Sequence, residues 1–229
     1  MKKACFLWVL FTLLFVSCTK EPEPPKEIHF SILGDSYSAY EGSVYPESND
    51  VCNYYGEIGV DSVEVMWWYQ VAQSMGWILE RNNSFYGSLI SNTDVGSYYV
   101  KQSFLNRMDN LGNPDVILVF GGTNDIWYDA PMGKFQYGNW SEEDLCFFRP
   151  ALACLFNGLQ GYYPNAKLYF MADAALGEVF VESVHTITDH YGIRCIDLHD
   201  IEKLWGHPVA AGMDTIAAQV LAALNEGVE

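Results

Sequence analysis

Ile28-His29-Phe30-Ser31-Ile32-Leu33-Gly34-Asp35-Ser36-Tyr37-Ser38 is the stretch from which the rest of the chain can be read. Its first six residues are mostly apolar on both alternating faces, as in a strand buried on two sides. Gly34 then permits a tight turn, and the turn leaves Ser36 just past the strand's carboxyl end. Gly-Asp-Ser is also an ordinary turn sequence, so the tripeptide acquires meaning only from its surroundings.

Four further runs of the same kind follow, over 78–83, 115–120, 167–172 and 193–198. The segments between them are long enough for crossover helices. Within 64–75, Val65, Trp68, Ala72 and Met75 repeat at helical spacing, and one of Trp67 and Trp68 is expected in the core. Ser141 and Asp144 form a capping-box pattern that predicts a helix start. Pro208 suits the first position of a last helix. The buried face of that helix is expected to carry Met213, Ile216, Val220 and Leu224. Alternating strands and helices predict a three-layer α/β/α sandwich around a five-stranded parallel sheet, wound like flavodoxin. Ligands bind such sheets beyond the carboxyl ends of the strands.

Three other segments stand at that end. Asn83-Ser84-Phe85-Tyr86-Gly87-Ser88 follows the second run, Gly121-Gly122-Thr123-Asn124-Asp125 follows the third, and His207-Pro208 precedes the last helical pattern. Each has an ordinary structural explanation, as a turn, a helix cap or a structural histidine. In this order and at these places they resemble the SGNH hydrolase superfamily, also called GDSL esterases and lipases. The resemblance extends from Ile28 to the end of the chain.

It implies a serine esterase in which Ser36 is the nucleophile and His207 the general base. The backbone N–H groups of Ser36 and Gly87 and the Asn124 amide would form the oxyanion hole. The resemblance calls for no cofactor and no metal. A His at a helix start would also be kept neutral, and so able to accept a proton. The family usually has an aspartate three residues before the histidine, and here that residue is Leu204. Three readings stay open. Asp200 or Glu202 orients His207, or a main-chain carbonyl does, or the protein binds without catalysing. The expected substrate is a small-molecule or glycan ester, with removal of acetyl groups from extracellular carbohydrate as one task. The alternative is a non-catalytic glycan-binding lipoprotein on the same scaffold. The loops 40–62 and 126–140 should border the cleft. Trp127, Tyr128, Phe135, Tyr137 and Trp140 of the second would either contact substrate or pack the loop down.

Composition sets the outer limits. Among 229 residues, 12 are Lys or Arg and 29 are Asp or Glu, a formal charge of −17. A general nucleic-acid binder needs a basic footprint and is excluded. Half the residues are hydrophobic and 18% are charged, which excludes a disordered chain. Met1-Lys2-Lys3 and the apolar run 4–16 read as a signal peptide, shorter than the roughly 20 residues a membrane span requires. Ser17-Cys18 resembles the bacterial lipoprotein processing site. The expected organisation is therefore a signal peptide over 1–17, a lipidated Cys18 with a polar tether to 27, and a hydrolase-like domain over 28–229. The protein would be exported to the cell envelope and attached to a membrane by lipid alone. No CxxC or Cys/His pair has zinc spacing, and disulfide pairing stays open because Pro150 separates Cys146 from Cys154.

Overall fold

The structure, a computed structural model, describes residues 26–94 and 96–226. The expected leader, Cys18 and the tether as far as residue 25 lie outside these residues. Lys26, near the tether's end, forms an ion pair with Asp115. No helix among the described residues is long and apolar enough to cross a membrane.

Five strands form one parallel sheet: β1 (His29–Gly34), β2 (Ile78–Ser84), β3 (Val116–Phe120), β4 (Lys167–Asp173) and β5 (Arg194–Leu198). Their spatial order is β2-β1-β3-β4-β5. The winding reverses between β1 and β3, and sheets of this kind open a crevice there. Register brings the three relevant loops level, because Gly34 pairs with both Ser84 and Phe120. The chain therefore leaves β1, β2 and β3 at one height, next to one another.

Among the described residues six α-helices complete the layers: α1 (Trp67–Met75), α2 (Ser97–Lys101), α3 (Thr123–Trp127), α4 (Phe148–Tyr162), α5 (Glu178–Tyr191) and α6 (Ala210–Asn225). The apolar strands have two faces because each supplies two cores. From β3, Val116, Leu118 and Phe120 pack with α1 and α6, whereas Ile117 and Val119 pack with α4 and α5.

Several local expectations are corrected. The Ser141–Asp144 capping box forms, but it opens only a 3₁₀ turn, Asp144–Cys146, and α4 begins at Phe148. Pro150 then sits in the first turn of α4, where its missing N–H costs nothing. Cys146 and Cys154 are free, as are Cys52 and Cys195. Pro208 does not begin the last helix. It belongs to a hairpin of β6 (Lys203–Leu204) and β7 (His207–Pro208), and α6 starts at Ala210. The hairpin turn is Trp205-Gly206, with φ of 51° and 81°. Two positive φ values suit the twist of a tight hairpin.

Candidate active site

The nucleophile turn is held from below. Asp35 Oδ1 accepts from Tyr37 N at 2.9 Å, and Ser38 N donates to the Asp35 carbonyl. Both tryptophans of α1 are buried, and both take part. Trp67 Nε1 donates to the Tyr37 carbonyl and Trp68 Nε1 to the Ser38 carbonyl. Tyr55 Oη donates to the Ser36 carbonyl. These contacts leave the Ser36 side chain facing the cleft.

Arg107 connects this turn to the loop after β2. Its guanidinium donates to the Gly34 carbonyl at 3.1 Å, Ser88 Oγ at 2.9 Å, the Gln102 carbonyl at 2.7 Å and the Asn83 carbonyl. Burial pulls its pKa down to about 9, and the nearby Asp35 opposes the fall. Asp35 is also buried, and burial pushes its carboxyl up to about 7. Across the cleft floor, Asp125 accepts from Ile90 N and Ser91 N. This fixes the same loop to the start of α3.

The oxyanion donors emerge from this frame. Among the described residues, no protein acceptor takes the N–H of Ser36 or of Gly87. Gly87 has φ of 74°, and a Cβ there would lie 2.9 Å from the Tyr99 ring, so only glycine fits. Asn124 donates one amide hydrogen to the Ser88 carbonyl at 2.9 Å. That bond orients the amide and leaves its second hydrogen free.

The base arrives from the hairpin. His207 Nε2 lies 2.9 Å from Ser36 Oγ. Tyr37 Oη donates to the Gly206 carbonyl at 2.6 Å and ties the nucleophile turn to the hairpin turn. Burial lowers the His207 pKa below 6.5. Burial therefore does what proximity to a helix start was expected to do, since α6 begins three residues later.

For Nε2 to accept the serine proton, Nδ1 must carry the hydrogen. Its acceptors are Tyr54 Oη at 2.7 Å and the Trp205 carbonyl at 3.4 Å. The same Tyr54 oxygen is 3.2 Å from Nε2. Asp200 and Glu202 do not orient the ring: both are exposed, and neither carboxylate contacts His207. The hairpin explains why. It turns at Trp205-Gly206, pairs Leu204 with His207 and leaves Leu204 44% exposed. The acids lie before this turn and face solvent. Of the three readings, a main-chain carbonyl is at hand, joined by a phenol that no local signal marked. Tyr54 lies within the 40–62 loop, 153 residues from the histidine.

Ser36, Asn124 and His207 are 2%, 4% and 3% exposed, so the reacting groups sit at the bottom of a narrow slot. Tyr86 stacks parallel to the His207 ring, and Tyr54 and Trp127 meet it edge-on. Trp127 and Trp205 form an exposed rim. Of the other rings of the 126–140 loop, Tyr128 is exposed as well, and the remaining three rest on the body or on the loop itself. Phe135 lies against Arg149, Tyr137 stacks on His190, and Trp140 bonds within its own loop. Beside the slot lies a cleft of about 420 Å³ lined by Asn49, Asp50, Val51, Asn53, Tyr54, Tyr86 and Tyr99. Tyr54 and Tyr86 are shared by the cleft wall and the histidine surround.

A family model for GDSL-like lipase/acylhydrolase matches residues 28–224. A crystal structure described as a GDSL-like lipase from Bacteroides ovatus is 41% identical with a TM-score of 0.84, covering 88% of this chain and 99% of that one. One from Bacteroides uniformis is 43% identical with a TM-score of 0.84, covering 88% and 97%. An active-site mutant of a family two carbohydrate esterase from Clostridium thermocellum is 13% identical with a TM-score of 0.60, covering 89% and 65%. That last likeness concerns the fold alone. No curated protein matches the chain.

Proposed function

The chain belongs to the GDSL-like lipase/acylhydrolase family of hydrolases, and from that membership we propose a serine esterase that removes small acyl groups, acetyl above all, from carbohydrate. The observation that carries this reading is the 2.9 Å approach of Ser36 Oγ to His207 Nε2 beside two unpartnered backbone N–H groups. Ser36 Oγ attacks the ester carbonyl while its proton passes to Nε2. The carbonyl oxygen gains the negative charge and accepts from Ser36 N, Gly87 N and Asn124 Nδ2. The proton on His207 then goes to the departing alkoxide. Water, deprotonated by the same nitrogen, releases the acid and restores Ser36. Each oxyanion donor is worth about 10²–10³ in turnover.

Two features favour acetyl on a hydroxyl-rich alcohol over a fatty acyl chain. Ser36, Asn124 and His207 are nearly buried, which suits a short acyl group. The adjoining cleft presents amides, a carboxylate and phenols, groups that hydrogen-bond sugar hydroxyls. The exposed Trp127 and Trp205 offer flat surfaces for a sugar ring. A lipid anchor at Cys18 belongs to the same proposal and would place the enzyme at a membrane surface.

The test is a panel of acetylated polysaccharides and p-nitrophenyl esters of rising chain length, run with a serine-reactive phosphonate. Hydrolysis should be fastest for acetyl, and the phosphonate should form one adduct, at Ser36. The lack of a carboxylate at Nδ1 favours the binding-only alternative. Retention on acetylated glycan with neither adduct nor hydrolysis would establish that alternative and end this proposal.

Tyr54 supplies a dipole where a triad supplies a charge. Burial raises its pKa, so it stays a neutral phenol. Tyr54→Phe is expected to lower kcat about tenfold with KM nearly unchanged, the worth of one hydrogen bond to a group that becomes charged. Because burial lowers the His207 pKa, the free base persists below pH 6.5. The acidic limb of the kcat/KM profile should accordingly fall below that value. A limb at or above it would contradict the burial argument.

A further inference from the structure

Away from the catalytic cleft, three metal-binding side chains converge where α5 covers the edge strand β5. Cys195 and Asp197 are two residues apart on β5, so they point to the same side of the sheet. His185 reaches them from α5. Its Nε2 lies 2.9 Å from Asp197 Oδ1 and 3.1 Å from Oδ2, and Cys195 Sγ lies 3.8 Å from Asp197 Oδ1. The three ligating atoms are all within 4.8 Å of one another. We propose that His185, Cys195 and Asp197 bind a zinc ion that clips α5 to the sheet edge.

The geometry is close to what zinc requires. Zn–N and Zn–O bonds of about 2.1 Å and a Zn–S bond of about 2.3 Å set tetrahedral ligands roughly 3.4–3.6 Å apart. The observed triangle, with its atoms within 4.8 Å of one another, needs shifts of up to roughly an ångström, at side chains that are partly exposed and can rotate. The donor set is nitrogen, sulfur and oxygen, which suits zinc; calcium and magnesium take oxygen ligands. Solvent reaches the imidazole and the carboxylate, which are 40% and 37% exposed, so water can fill the fourth position. Among the described residues no Lys or Arg pairs with Asp197. Asp189, one helical turn beyond His185, adds its negative charge near Cys195. The cluster is therefore rich in lone pairs and poor in cations. Binding replaces the His185–Asp197 hydrogen bond with Zn–N and Zn–O bonds: the Nε2 hydrogen is given up to solvent while Nδ1 carries the ring's one remaining hydrogen, and the thiol proton leaves to solvent as the Zn–S bond forms.

The probes are zinc and cobalt(II), titrated into the chelator-treated full chain. Wild type should bind one zinc, and cobalt should produce a thiolate charge-transfer absorption. Zinc at 100 times its Kd should raise stability by about 2.7 kcal/mol, read as an upward shift in Tm. Cys195→Ser and His185→Gln should each abolish the Tm shift, and Cys195→Ser should also abolish the cobalt–thiolate band. Their metal-free melting curves report folding independently. The site is refuted if wild type binds no zinc, if Cys195→Ser retains the band, or if both variants keep the Tm shift. Any of these outcomes would leave His185–Asp197 as a surface ion pair with a spectator thiol.

Discussion

Ser36→Ala should lower kcat on p-nitrophenyl acetate by about 10⁴–10⁶, His207→Ala should do the same, and combining them should cost almost nothing more. The reason is geometric. The hydroxyl is a nucleophile only through the nitrogen 2.9 Å away, and that nitrogen has no other proton to take in the first step. Either change removes the same event, so the second has nothing left to remove. Independent contributions would instead multiply, to about 10⁸ or beyond. The residual rate should come from Gly87 and Asn124 polarising the carbonyl toward water, because their donors remain in place. Among the described residues Ser36 Oγ has no other protein partner, so the alanine variant should melt like wild type. A double variant far slower than either single, or a single one retaining a tenth of the activity, would show that the pair does not act as a unit.

Arg107→Met should destabilise the fold by about 3–5 kcal/mol and lower Tm by roughly 6–20 °C. Arg107 is 5% exposed and is the donor for five acceptor atoms on three segments. Methionine fills a similar volume but donates nothing. It takes a donor from the Asn83 and Gln102 carbonyls and from Ser88 Oγ, while the Gly34 carbonyl keeps Phe85 N as its donor. It also leaves the buried Asp35 without its nearest opposing charge. Arg107→Lys should recover only part of the loss, since one ammonium cannot reach acceptors arranged around a planar fork. Chemical denaturation checks both variants, and a loss under about 1 kcal/mol for methionine would mean that solvent replaces the guanidinium. Because Gly34 adjoins the nucleophile turn and Ser88 adjoins Gly87, surviving folded protein should also show reduced kcat.

The sheet was legible because its strands are buried twice over. A run apolar on both faces has few other uses in a chain of this size, and each expected strand lies within a residue or two of the observed one. The loops after β1, β2 and β3 were legible for the same reason, since strand ends locate them. What escaped notice depends on contacts between distant segments. Tyr54 meets His207 across 153 residues, and nothing near either one marks the other. Pro208 fits a first helical turn as well as it fits a hairpin, so residue type alone starts the last helix two residues before Ala210. The deciding feature was a positive φ at Trp205, which residue type does not announce. Trp67 and Trp68 read correctly as helical, but their indole N–H bonds to the nucleophile turn do not follow from periodicity. His185 sits on a helix and Cys195 on a strand, so spacing rules for metal ligands could not pair them.

The reacting serine and histidine are 171 residues apart along the chain. A ribosome paused after α3 has already made Ser36, Gly87 and Asn124, yet the nascent polypeptide holds an inert alcohol. Reactivity begins only when the hairpin docks, after the contacts of largest sequence separation have closed. The same dependence works in reverse during partial opening. Detachment of the short hairpin and α6 would silence the enzyme while the parallel sheet stayed protected from hydrogen exchange. Loss of turnover on warming should therefore precede loss of far-ultraviolet circular dichroism.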